Sequence, residues 1–106
     1  MDLVDELNNY KNQAFDTWFD RWFKKEDLPK YFKRAAQQGY SGCQIKLKKT
    51  IPMSEEAEYL NRRLRDPRTV EKLKNEFPGI KVEFVTEKKP GLFGMTSTTE
   101  KLEFSW

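Results

Sequence analysis

Pro78-Gly79-Ile80-Lys81-Val82-Glu83-Phe84-Val85 is the stretch on which the fold turns. Pro-Gly punctuates the chain, and behind it Ile80, Val82 and Phe84 alternate with Lys81, Glu83 and Val85. That period of two is a strand with one apolar face. The same pattern occurs twice more. Cys43 to Lys48 places Cys43, Ile45 and Leu47 on one side, and Lys101 to Trp106 does the same with Leu102, Phe104 and Trp106. Three apolar triplets make a sheet with one face that helices must cover.

The segments between and before the strands read as those helices. Ser54 caps a helix opening on Glu55 and Glu56, with Ala57, Leu60 and Leu64 inward and Tyr59 at the margin. Asp66-Pro67 restarts or kinks it, and Val70, Leu73 and Phe77 continue the inward stripe. Ile51-Pro52-Met53 breaks the preceding strand. Asp27-Leu28-Pro29 begins another helix with Leu28, Tyr31, Phe32, Ala35 and Ala36 on one side and Gly39 as its C-cap. Residues 2–25 form a longer amphipathic helix, capped by Asp2 and followed by Lys24 and Lys25 at its negative pole.

The expectation is an α+β domain of two layers in the order α-α-β-α-β-β, with a three-stranded mixed sheet covered on one face by helices. The first two strands, joined through a helix, are expected as a right-handed parallel crossover, and the last two as an antiparallel pair. One domain covers 1–106, divided into an N-terminal helix (1–26) and an α-β-α-β-β body (27–106).

The chain is 106 residues long, 37% hydrophobic, 35% charged and 14% aromatic, with a net charge of +3. Fifteen aromatic rings exclude a disordered polar chain. No apolar run is long enough for a membrane span, and the start MDLVDEL is not a signal peptide. One cysteine, Cys43, makes no internal disulfide, which suits a reducing cytoplasm. There is no histidine, so the usual neutral-pH base, a His-dependent relay and a Cys/His zinc site are all excluded within one chain. No phosphate-cradling glycine motif occurs. A carboxylate pair or an all-carboxylate Mg²⁺ site stays open. The expectation is a protein without catalytic residues, metal, cofactor or small-molecule substrate.

Three features carry functional expectations. Residues 1–28 hold a net charge of −3, whereas residues 29–50 hold Lys30, Lys33, Arg34, Lys46, Lys48 and Lys49 and no acid. Together with Tyr31, Phe32 and Tyr40, that basic segment is a candidate nucleic-acid surface. Its cations also have an ordinary reading, in which Lys46 and Lys48 pair across strands with Glu83 or Glu103. The second feature is the aromatic stripe Phe15, Trp18, Phe19, Trp22 and Phe23, which is either core or a partner surface. Its helix carries Asp16 and Asp20 rather than a lysine row, which argues against lying on a membrane. Third, a long connection from Thr86 to Glu100 contains Lys88-Lys89-Pro90-Gly91-Leu92-Phe93-Gly94-Met95, whose apolar residues either tuck back or are displayed.

Gly39-Tyr40-Ser41-Gly42 before a strand, Phe77-Pro78-Gly79-Ile80-Lys81-Val82 leading into the next, and the terminal Phe104-Ser105-Trp106 carry a likeness. Over about residues 27–106 the chain resembles small orphan proteins of phages and mobile elements in Gram-positive bacteria. The resemblance implies a cytoplasmic, non-enzymatic accessory protein and transfers no functional residues. Together these readings lead to a small interaction protein that binds a protein partner or itself. Its candidate contact residues are Trp18, Trp22, Leu92, Phe93 and Met95, and the alternative is nucleic-acid binding through residues 30–49.

Overall fold

The computed structural model describes residues 2–49 and 52–106. The expected strand break at Ile51 lies outside the described residues, although Pro52 and Met53 are within them. The elements are α1 (Leu3–Glu26), α2 (Leu28–Gln37), β1 (Gly42–Lys46), α3 (Glu55–Arg65), α4 (Pro67–Glu76), β2 (Lys81–Pro90) and β3 (Thr96–Ser105). The chain falls into two compact units, Met1–Tyr31 and Phe32–Trp106, with the division inside α2.

In the first unit, the Asp2 carboxylate accepts the Asp5 backbone N–H at 2.9 Å and so caps α1. Asp27 ends α1 in the left-handed conformation, at φ 49°, and α2 begins at the next residue. On α1 the rings of Phe15, Phe19 and Phe23 stack at successive turns, 6.3 and 5.6 Å apart. Trp18 and Trp22 stack beside them at 5.4 Å. Phe15, Phe19 and Trp22 are buried, as is Leu28. Leu3, Val4, Leu7 and Tyr10, at the other end of α1, are exposed.

The second unit is built on an antiparallel sheet in the order β1-β3-β2. Here the expectation of a mixed sheet is corrected. β1 and β2 do run in the same direction, but β3 lies between them and is antiparallel to both, so no parallel neighbours exist. The pattern gave each strand its faces but not its neighbours. The register aligns Cys43, Phe104 and Val82 across the sheet, then Ile45, Leu102 and Phe84. These six share the apolar face, as the alternation requires. Val82, Leu102 and Phe104 are buried there, along with Leu64 and Leu73 from α3 and α4.

Phe32 of α2 packs on this face. Its ring lies 5.0 Å from those of Phe77 and Phe104 and 5.6 Å from that of Trp106. Trp106, expected inward, stays 41% exposed because it caps this cluster at the margin. Gly39, at φ 89°, turns the chain out of α2, and the Tyr40 N–H donates back to the Ala35 carbonyl. Gly42 then lets β1 come close to β3, since a Cβ there would strike the Phe104 carbonyl oxygen.

Two strand lengths also differ from expectation. β2 runs on to Pro90 and β3 begins at Thr96, so the connection expected over Thr86–Glu100 is largely a paired ribbon. Only residues 91–95 connect the strands. Thr86 to Lys89 and Thr96 to Thr99 have no alternating apolar residues to betray a strand, because this ribbon has no core face.

Candidate functional site at the hairpin apex

The ribbon begins where β1 stops. The last β1 pair is Lys46 with Lys101, and the Leu47 N–H still donates to the Glu100 carbonyl at 3.0 Å. Beyond that, β2 and β3 continue as a pair alone, from Thr86↔Glu100 to Pro90↔Thr96. At about 3.3 Å per residue the arm is on the order of 15 Å long. Its root is held from α3, where the Arg65 guanidinium donates to the Glu100 carboxylate at 2.6 and 2.7 Å.

At the apex, residues 92–94 form a single 3₁₀ turn closed by the Met95 N–H donating to the Leu92 carbonyl at 3.3 Å. The Gly91 N–H donates to the Met95 carbonyl and seals the base. Phe93 adopts φ 61°, ψ 30°, the left-handed region that costs an L-residue with a bulky side chain about 1 kcal/mol. That conformation turns its ring outward. Leu92 is 83% exposed, Phe93 96% and Met95 72%. Of the two readings open in the sequence, the residues are displayed rather than tucked back.

Behind the apex, Lys88 pairs in register with Thr98, and Lys89 with Ser97. As successive strand residues, the two lysines point to opposite faces of the ribbon. Both are exposed. From residue 88 to residue 99 there is no carboxylate.

The other candidate residues are distributed differently. Trp22 is buried and Trp18 half-buried, so neither stands free as the apex residues do. Lys30, Lys33, Arg34, Lys46, Lys48 and Lys49 are all exposed, and within the second unit Arg34 and Lys46 do not share one surface. Phe32 fixes α2 on the apolar side of the sheet, while Lys46 lies on the polar side beside Lys101. The expected pairs of Lys46 or Lys48 with Glu83 or Glu103 are not what forms. Lys81 takes Glu83 at 2.7 Å, and Lys101 takes Glu87 at 2.9 Å and Glu103 at 3.2 Å. Lys101 was placed at the centre of this face by the central position of β3, which the sequence pattern does not reveal. The hydrogen bonds it donates to Glu87 and Glu103 raise its pKa, and Lys101 in turn lowers that of Glu87.

Asn61 was also missed. It is 1% exposed on α3 and makes two bonds to the Lys48 backbone, accepting from the N–H at 3.2 Å and donating to the C=O at 2.9 Å. A side-chain amide thus substitutes for a neighbouring strand just after β1. Its signal was a polar residue interrupting the Ala57, Leu60, Leu64 stripe. Beside it lies an open cleft of about 500 Å³ lined by Met53, Glu58, Asn61, Arg62 and Arg65. The Cys43 thiol is pushed up by burial, away from the reactive thiolate. Among the described residues, no group of three or more Cys, Asp and Glu side chains is placed to hold a metal ion. No described helix is long and apolar enough to cross a membrane.

Comparison with known protein families, with characterised proteins and with solved structures finds no match.

Proposed function

We propose that this protein is a small non-enzymatic interaction module whose docking element is the β2–β3 hairpin apex. One observation carries the reading: among the described residues, Leu92, Phe93 and Met95 are the three most exposed large hydrophobic ones. Water opposes that arrangement by roughly 1.5–3 kcal/mol for each side chain that a binding event buries. A strained turn that holds Phe93 outward is the opposite of what collapse onto the domain would produce. The lone cysteine supports action in a reducing compartment such as the cytoplasm. The resemblance to phage and mobile-element proteins supports an accessory role.

Photo-crosslinking tests the reading without presuming a partner. A photoreactive phenylalanine replaces Phe93 in cells, with the same group at Tyr40, an exposed ring position on the loop before β1, as the control. The expected result is a discrete adduct from position 93 and none from position 40. Equal yields at the two positions, or no adduct at either, would remove the apex as the docking element.

A further inference from the structure

We infer that the surface the apex meets is an anionic lipid bilayer, with Leu92, Phe93 and Met95 seated among the headgroups and Lys88 and Lys89 bound to the phosphates behind them. This deepens the apex reading and rests on it.

Size is the first argument. The three apex side chains present on the order of 400 Å² of apolar surface, about half of what one partner buries in a standard protein interface. A two-stranded arm with a single-turn apex offers little more surface to bring into contact. A bilayer needs less, because a few apolar groups inserted at the boundary act together with electrostatic attraction.

The order of chemistry along the arm points the same way. Apolar residues occupy the tip, and Lys89 and Lys88 follow one and two pairs behind it, one on each face of the ribbon. The hydroxyls of Thr96, Ser97, Thr98 and Thr99 lie on the facing strand. Apolar groups at the tip with cations behind them match the bilayer's boundary of acyl chains and phosphates, and the hydroxyls level with the lysines are suited to the same polar layer. The nearest carboxylate, Glu87, lies behind both lysines and is drawn to Lys101 at 2.9 Å, away from the tip. A protein pocket has no reason to demand cations on both sides of the insert. The acidic residues that argued against membrane contact belong to α1, a different element.

Co-sedimentation of the whole protein with vesicles decides the matter. The probes are phosphatidylcholine alone and phosphatidylcholine with about one-third phosphatidylserine, at low salt and at physiological salt. The expected result is binding to the anionic vesicles only, weakened by salt. Lys88→Gln with Lys89→Gln should reduce partitioning by roughly tenfold or more. The joint change of Leu92, Phe93 and Met95 to Ser should reduce it to the level seen with neutral vesicles. Phe93→Gly is a second apex variant that suits the left-handed turn and keeps the fold, and it should also weaken binding. Circular dichroism verifies that each variant is folded. Absence of wild-type binding to anionic vesicles overturns the inference, as does apex-variant binding equal to wild type. A protein adduct from the position-93 crosslinker, found together with no vesicle binding, leaves the docking reading standing and removes only the lipid.

Discussion

Asn61 shows how a single buried polar side chain can hold a segment that no strand holds. Its amide supplies both a donor and an acceptor to Lys48. Asn61→Leu would leave the Lys48 N–H and C=O unsatisfied in a partly closed site. The expected loss is about 2–4 kcal/mol, measured by denaturant unfolding. Asp66 is a half-buried polar side chain that caps a helix, and its effect depends on pH. Its carboxylate caps α4 by accepting the Arg68 N–H at 3.0 Å and pairs with the Arg68 guanidinium at 2.7 Å. The hydrogen bond from the Arg68 side chain holds its pKa below the ordinary carboxylate value. The folded state therefore favours the ionised form. Its contribution is present above the unfolded carboxyl value near 4 and is lost as pH falls through the lower folded value. Asp66→Asn keeps the cap but removes the charge, so its deficit should be about 0.5–1 kcal/mol at neutral pH and vanish in acid. Urea titrations at pH 7 and at successively lower pH measure this.

At the scale of elements, the arm depends on its root. Arg65 is the residue that ties α3 to Glu100 at the point where β1 ceases to support β3. Arg65→Ala should speed amide exchange in Thr86–Lys89 and Thr98–Glu100 while leaving Val82, Leu102 and Phe104 protected. Uniform protection across both groups would show that the ribbon needs no such tie. The contrast between the arm and the core also explains what the sequence could disclose. Val82, Phe84, Leu102 and Phe104 were legible because a buried face imposes alternation on any strand beneath it. Thr86, Lys88, Thr96 and Thr98 carry no such imprint, since a ribbon wet on both faces asks only for β-branched and polar residues. The apex itself was legible as composition, three large apolar residues between glycines. Its display was not, because outward or inward placement depends on the Phe93 backbone and on how far the strands pair. The separation of Arg34 from Lys46 was hidden for another reason: neighbours in a basic segment go to opposite sides of a sheet once α2 covers one of them.

At the scale of the whole molecule, β3 is the strand on which both pairings of the second unit's sheet converge. Both pairings of the sheet run through Leu102, which is fully buried between Ile45 and Phe84. Leu102→Ala should therefore cost about 2–5 kcal/mol, and its cavity should weaken both strand pairs together rather than one. Thermal unfolding followed at backbone and aromatic wavelengths should give coincident, lowered midpoints. Split transitions would mean that β1 and β2 are held independently. The central strand also follows both of its neighbours in sequence. During synthesis β1 is complete long before β3, yet among the described residues β3 is the only strand it pairs with, so a growing chain carries β1 with both edges open while α3, α4 and β2 are added. β2 meets the same wait, though a shorter one. The hairpin of β2 and β3 closes over a local turn, whereas β1 must be gathered in from afar, and long loop closures are the slow ones. The nascent protein thus has an order of assembly, hairpin first and β1 last. For that interval its exposed apolar strand is the natural client of a chaperone.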